Sequence, residues 1–293
     1  MTVTHHSEYG HLRSVFLKRP EQAFVNETQV NEQWKALNFL SKPDLAKAVA
    51  EYRNFENLIA ASGAHLYFLP DDAAVTIDSI YCRDAAIATD YGMVICNMGK
   101  PARLPEPAAE QREFERLNIP ILGVIQAPGT VEGGDVAWVD KTTLAVGHTY
   151  RTNEEGIRQL KQLLEPFGIT VWVAHMPHYK GPSDVFHLMS VFSPVDKTLA
   201  VVYSPLMPIA FRNGLLDRGY TFIEVPDSEW NSMGCNVLAI APRECIMVAG
   251  NPVTRQRLEA EGCHVHEYEG NEISVKGGGG PTCLTRPLLR EIL

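Results

Sequence analysis

Asn153-Glu-Glu-Gly-Ile-Arg-Gln-Leu-Lys-Gln-Leu-Leu-Glu-Pro-Phe-Gly168-Ile-Thr-Val-Trp-Val-Ala-His-Met-Pro177 holds the pattern on which the chain is built. It reads as an amphipathic helix from Asn153 to Phe167, a turn at Gly168, and a strand that stops at Pro177. Upstream lies an apolar strand at Leu144–Val146, and downstream a polar loop, SDVFHLMS. The same succession recurs about five times. Before this copy, Leu12–Leu17 leads to a helix at Leu45–Ala61 and a turn at Gly63. Ala85–Ile95 then leads to a helix near Ala108–Leu117 and a turn at Asn118. After it, Leu199–Tyr203 leads to a short helix near Ala210–Leu216 and Gly219, and Cys245–Ala249 to a helix at Thr254–Glu261 and Gly262. The turns fall about every 50 residues, a period of repeat and propeller architectures.

An open row of short strands leaves sheet edges exposed, whereas a closed ring removes them. Each second strand runs into a polar or glycine-rich loop: IDSIYCRD, TVEGGD, SDVFHLMS, NSMGCN and ISVKGGGGPTC. In a ring these loops converge on the axis and build one site from distant parts of the chain.

Composition narrows the partners. The 293 residues are 45% hydrophobic and 21% charged, ordinary for a soluble globular protein, and by length allow one domain or two. A net charge of −9 without a basic run disfavours nucleic acid and anionic membranes, so a small molecule is the expected partner. No stretch reaches the roughly 20 apolar residues of a membrane span, and the N-terminus lacks the features of a signal peptide. The expected location is cytoplasmic, and a homodimer is compatible with the reading. Six widely spaced cysteines form neither a zinc pattern nor a disulfide framework and are read as reduced thiols.

Within the loops, Cys283 follows four glycines, where backbone can approach a ligand closely. His187 stands where a short apolar strand begins, and Glu132 precedes two glycines that leave it room to face a ligand. Asp78 and Asp84, six apart in a strand-like segment, would share one face of a sheet. Two such carboxylates repel unless a cation joins them, and a guanidinium is the cation that carboxylates bind in bidentate fashion. Residues 21–43, with Phe24, Trp34 and Phe39, are the expected lid.

Three motifs, Glu132-Gly-Gly-Asp135, His187-Leu-Met189 and Gly-Gly-Gly-Gly-Pro-Thr-Cys283, resemble those of the pentein guanidine-modifying superfamily. That superfamily includes arginine deiminases, dimethylarginine dimethylaminohydrolases and amidinotransferases. The likeness runs from Leu12 to Cys283 and is strongest to bacterial dimethylaminohydrolases, through Ala127–Asp135 and Arg151–Gly156. The resemblance implies a five-bladed α/β propeller of ββαβ units around a pseudo-fivefold axis, a single domain over residues 1–293. It further implies Cys283 as nucleophile, His187 as acid–base and Glu132 as partner of histidine and substrate. Asp78 and Asp84 would bind the guanidino group or an amine, and Arg151 an α-carboxylate.

The implied reaction is cleavage of a guanidino C–N bond through a covalent S-alkylthiouronium, giving a ureido product, with no metal or cofactor required. The sequence departs from its relatives at Asn97, where the most similar proteins place a second carboxylate-binding arginine, and Arg103 is the nearby substitute. Arg83 holds a position that is acidic in some dimethylaminohydrolases, and His187-Leu-Met189 lacks the aspartate that deiminases place two residues after the histidine. The alternatives are an amidinotransferase, which passes the amidino group to an amine, and a non-catalytic pentein that serves as a binding module.

Overall fold

The computed structural model describes residues 4–291. Its strands form five three-stranded sheets, each built in the same way. Strand β1 (His11–Leu17) crosses through helix α1 (Leu45–Ala61) to the parallel strand β2 (His65–Phe68). The hairpin β3 (Ala86–Thr89) and β4 (Gly92–Ile95) crosses through α2 (Glu106–Arg116) to β5 (Ile121–Val124). The hairpin β6 (Val136–Asp140) and β7 (Thr143–His148) continues through α3 (Glu154–Leu164) to β8 (Thr170–His175). Strands β9 (Phe192–Asp196) and β10 (Leu199–Val202) lead through α4 (Ile209–Asp217) to β11 (Thr221–Glu224). Strands β12 (Leu238–Ala241) and β13 (Glu244–Val248) lead through α5 (Pro252–Ala260) to β14 (His264–Tyr268). The last strand, β15 (Thr285–Glu291), pairs antiparallel with β1 and so completes the first sheet with the far end of the chain. The result is a mixed α/β fold whose five small sheets fit a propeller-like arrangement.

The helices form where apolar residues recur on one face. In α1 the buried residues are Ala48, Tyr52, Phe55 and Ile59, and in α3 they are Gly156, Ile157, Leu160 and Leu164, the 3.6-residue spacing of a helix laid on a sheet. Each of the five turns between helix and outer strand holds a left-handed residue, as at Gly63 (φ 79°) and Asn118 (φ 54°). That conformation ends the helix and turns the chain back along the sheet, which selects glycine and asparagine. The segment Ala85–Ile95, read as one strand, is a tight hairpin that reverses at Asp90-Tyr91. Residues 21–43 contain two short helices, Pro20–Ala23 and Glu27–Gln33, with Phe24 and Phe39 packed inward.

Helix α5 carries no side-chain cap of its own. Instead, buried Glu229 accepts from Val253 N–H (2.7 Å), Thr254 N–H (2.8 Å) and the Thr254 hydroxyl (2.6 Å). Glu229→Ala strands these donors, at a cost of about 1–3 kcal/mol. Scanning calorimetry should therefore show a lower melting temperature, and an unchanged one would contradict this account of the cap.

Candidate active site

The loops that carry the candidate residues meet and are stitched by backbone and side-chain hydrogen bonds. Gly133 N–H donates to Asp84 C=O (2.8 Å), and Arg83 N–H to Cys283 C=O (3.2 Å). Leu188 N–H donates to Asp135 Oδ1 (3.1 Å), and the other carboxylate oxygen of Asp135 accepts from Thr149 Oγ1 (2.7 Å). Glu132, His187, Asp78, Asp84, Arg103, Arg151 and Cys283 thereby line a single small cavity.

At its centre His187 Nε2 donates to Glu132 Oε2 (2.8 Å), with both side chains buried. Glu132 Oε1 accepts from Gly99 N–H and Lys100 N–H, each at 3.0 Å, and lies 3.7 Å from Arg151 Nη1. Burial alone would favour the neutral form of both groups, but their surroundings outweigh it. The negative charges of Asp135, Asp84 and Glu132 raise the His187 pKa to about 9, while His187, Arg103 and Arg151 lower that of Glu132 to about 2. The histidine is thus a buried imidazolium at neutral pH.

The two glycines after Glu132 have a different purpose from the one read in the sequence. A Cβ at Gly133 would collide with the Arg83 carbonyl, and one at Gly134 with His187 Nδ1, so Gly133 lets the Arg83–Ala86 segment, and Gly134 the histidine loop, close against the glutamate loop. The glycine run before Cys283 is likewise occupied by protein. Tyr81 packs on Gly277 and Gly279, and Asn236 on Gly280.

Asp78 and Asp84 do not sit on a strand. Ile77–Ile80 is a 3₁₀ turn, and the chain keeps turning to Asp84, which brings both carboxylates to the cavity without a sheet face. Nor do they wait for an external cation. Lys100 Nζ lies 2.5 Å from Asp78 Oδ2, and Arg103 Nη1 lies 2.5 Å from Asp84 Oδ2. Arg103 spends its other donors on Glu106 and the Tyr81 carbonyl, so it is bound within the protein rather than free to replace a carboxylate-binding arginine. Asn97 is also corrected: it pairs with Val131, its amide donates to Gly129 C=O (2.6 Å), and it is absent from the cavity wall. Arg83 turns away to a buried ion pair with Glu8 (2.7 Å).

Two charged groups still face the cavity. Among the described residues Asp84 Oδ1 is buried without a hydrogen-bond partner, 4.0 Å from His187 Nδ1. The Arg151 guanidinium lines the cavity with Glu132 as its nearest carboxylate. Cys283 is half-buried, and Asn236 Nδ2 approaches its sulfur at 3.4 Å. Burial and the charge of Asp84 push the thiol above its ordinary pKa, against the pull of Thr282 and Asn236. Asn236 and Lys100 were not singled out in the sequence: Asn236 ends the NSMGCN loop read as converging on the axis but carries no charge or nucleophile, and Lys100 belongs to none of the five loops. Asp84, Glu132 and His187 each offer one ligand atom, all within 4.8 Å of one another, as a metal would require. The short His187–Glu132 contact already uses two of those groups as an ion pair.

Residues 19–290 match the family described as N,N dimethylarginine dimethylhydrolase, eukaryotic. The chain belongs to this family. It is a pentein and a hydrolase acting on C–N bonds of amidines. This dimethylhydrolase-family chain is 28% identical to N(G),N(G)-dimethylarginine dimethylaminohydrolase of Pseudomonas aeruginosa, over 84% of this chain and 90% of that one. It is also 28% identical to protein YkgA of Bacillus subtilis, over 97% and 94% of the two chains. The amidinotransferase SxtG of Microseira wollei shares the fold, with a TM-score of 0.80 at 15% identity over 100% of this chain and 98% of that one.

The raised His187 pKa gives a direct test. In ¹⁵N-histidine NMR, His187 should remain an imidazolium until about pH 9, and Glu132→Gln should move its titration to lower pH. Its contribution to stability is complete below the ordinary value of 6.5 and is lost as pH rises through about 9. Titration of His187 near 6.5 in the unmodified protein would contradict the ion pair.

Proposed function

We propose that the protein hydrolyses a guanidino C–N bond of an arginine-like substrate with Cys283 as nucleophile, His187 as acid–base and Glu132 as the group that keeps His187 charged. The observation that carries this reading is the buried imidazolium–carboxylate pair on the same cavity as the thiol. In this reading, five ββαβ units close around one axis as a single domain, and residues 21–43 serve as the lid. The unpaired cysteines fit a reducing cytoplasm.

A bound guanidinium places an N–H on the free Oδ1 of Asp84 and its positive charge beside Cys283. That charge lowers the thiol pKa and releases its proton to solvent, so the thiolate forms when substrate arrives. The sulfur attacks the guanidine carbon and an S–C bond forms. The C–N bond to the departing nitrogen then breaks as His187 delivers its proton to that nitrogen. The amine leaves and a thiouronium remains on Cys283. Neutral His187 takes a proton from water, whose oxygen attacks the same carbon. The S–C bond breaks with its electron pair returning to sulfur as thiolate, the hydroxyl proton passes to solvent, and a ureido compound of the citrulline type leaves. Arg151 is the site for a substrate carboxylate. Asp78, held by Lys100, is available to an amine only at its remaining acceptor positions.

A second reading has an amine, rather than water, accept the amidino group. A large cavity on the far side of Cys283 favours it, since that space would hold an acceptor. Product analysis with an added amine separates the two: hydrolysis yields the ureido compound, and transfer yields a new guanidine.

The hydrolytic reading predicts release of a ureido product from arginine, a methylarginine or agmatine, and its loss in Cys283→Ser. Failure to release one from all three would contradict it. For kcat/KM the reactive form is thiolate with imidazolium, so the rate should climb with pH to about 9, level off as His187 begins to lose its proton, and fall only at higher pH, once the Cys283 thiol, raised above its ordinary value, is itself ionised. The ascending limb of kcat should lie at lower pH, where bound cation assists ionisation. Coincident limbs would argue against substrate-assisted ionisation.

A further inference from the structure

Cys283 and His187 border two cavities, which also share Val185, Gly277 and Gly278. The charged one, with Asp84, Glu132 and Arg151, has a volume of about 20 Å³, little more than the space one water needs. The other measures about 370 Å³ and has a different chemistry. Leu40, Tyr179, Met189, Trp230, Met233 and Val275 give it a largely apolar wall. Of its lysines, Lys276 is engaged by Glu272 (2.6 Å) and the Lys42 carbonyl (3.1 Å), and Lys180 lies over the Tyr179 ring (5.0 Å).

The aromatic part of this wall is fixed from behind. Trp230 stacks on Tyr203, with ring centres 4.2 Å apart at 18°, and its indole N–H donates to Tyr179 Oη (2.9 Å). Tyr179 sits at φ 48°, a left-handed conformation that residues with side chains seldom adopt and that surrounding structure must hold. Ammonia or a methylamine leaving from Cys283 would fill little of such a space and would forgo the apolar contact it offers.

We propose that the large cavity is the subsite for the substituent on the departing nitrogen, and that the preferred substrate is a guanidine whose leaving amine carries a bulky apolar group of arylalkyl class. This rests on the hydrolytic reading above and deepens it. The guanidine carbon lies over Cys283 at the junction, its unsubstituted nitrogens face Asp84 Oδ1 in the narrow cavity, and the arylalkyl group lies against Trp230 and Met233. When the C–N bond breaks, the arylalkyl nitrogen takes a proton from His187 and leaves as a neutral amine, which takes a second proton from solvent and, as an alkylammonium, occupies a cavity whose aromatic rings suit an organic cation. Water then releases the ureido compound as before, so the sum is one guanidinium and one water to one ureido compound and one alkylammonium.

The test compares the full chain on Nω-methylarginine and Nω-benzylarginine. The benzyl compound should have the higher kcat/KM by about tenfold or more, the scale on which apolar pockets discriminate. Trp230→Ala should reduce that ratio about tenfold. A binding measurement that needs no turnover accompanies it: calorimetry of Cys283→Ser with benzylamine and with methylamine, in which benzylamine should bind about tenfold more tightly. Equal or better turnover of the methyl compound, with the two amines binding alike, overturns the subsite while leaving guanidine hydrolysis in place. Absence of turnover of every guanidine in either series overturns the hydrolytic reading, and with it this proposal, even if benzylamine binds.

Discussion

The 2.8 Å contact between His187 and Glu132 joins two loops that lie 55 residues apart in sequence, and much of the site is arranged to keep it charged and dry. Removing two charges from water is costly unless each finds good partners. Glu132 has them in the Gly99 and Lys100 amides and His187, and the histidine loop is fixed through Leu188 N–H on Asp135. Gly134 is small because the imidazole lies against it. What the pair provides is a proton held ready at a buried position, beside a sulfur that does not ionise easily by itself.

The same logic governs the rest of the cavity. Each acidic side chain has its own cation, with Asp78 on Lys100, Asp84 on Arg103, and Glu132 on His187. Such a site does not attract a guanidinium by excess negative charge. It offers a buried carboxylate oxygen without a partner among the described residues, Asp84 Oδ1, and the geometry of a narrow space. Burial raises Glu106 to a pKa of about 7 even though Arg103 holds it, so the Asp84–Arg103–Glu106 chain can change charge close to neutrality.

Much of this was legible in the sequence. The five helices and the five turns could be read because helical periodicity and left-handed glycine or asparagine are local signals. The inner strands were harder: β3, β9 and β12 are four or five residues long and almost wholly buried, so they show no alternation and cannot be told from connecting chain. The loops carrying Glu132, His187 and Cys283 do come together as expected from their equivalent places in the units. Partner choice was beyond reach. Nothing local in Lys100 or Arg103 says that they will close on Asp78 and Asp84, or that Asn97 will turn to Gly129, because those contacts depend on how separate loops cross.

The central claim is that Cys283 bonds to the guanidine carbon. Intact-protein mass spectrometry after rapid acid quench, with a panel of guanidines that includes arginine and methylarginines, tests it most directly. The account predicts an added mass equal to the substrate less its departing amine, mapped to Cys283 and absent in Cys283→Ser. Turnover that persists in Cys283→Ser would contradict it.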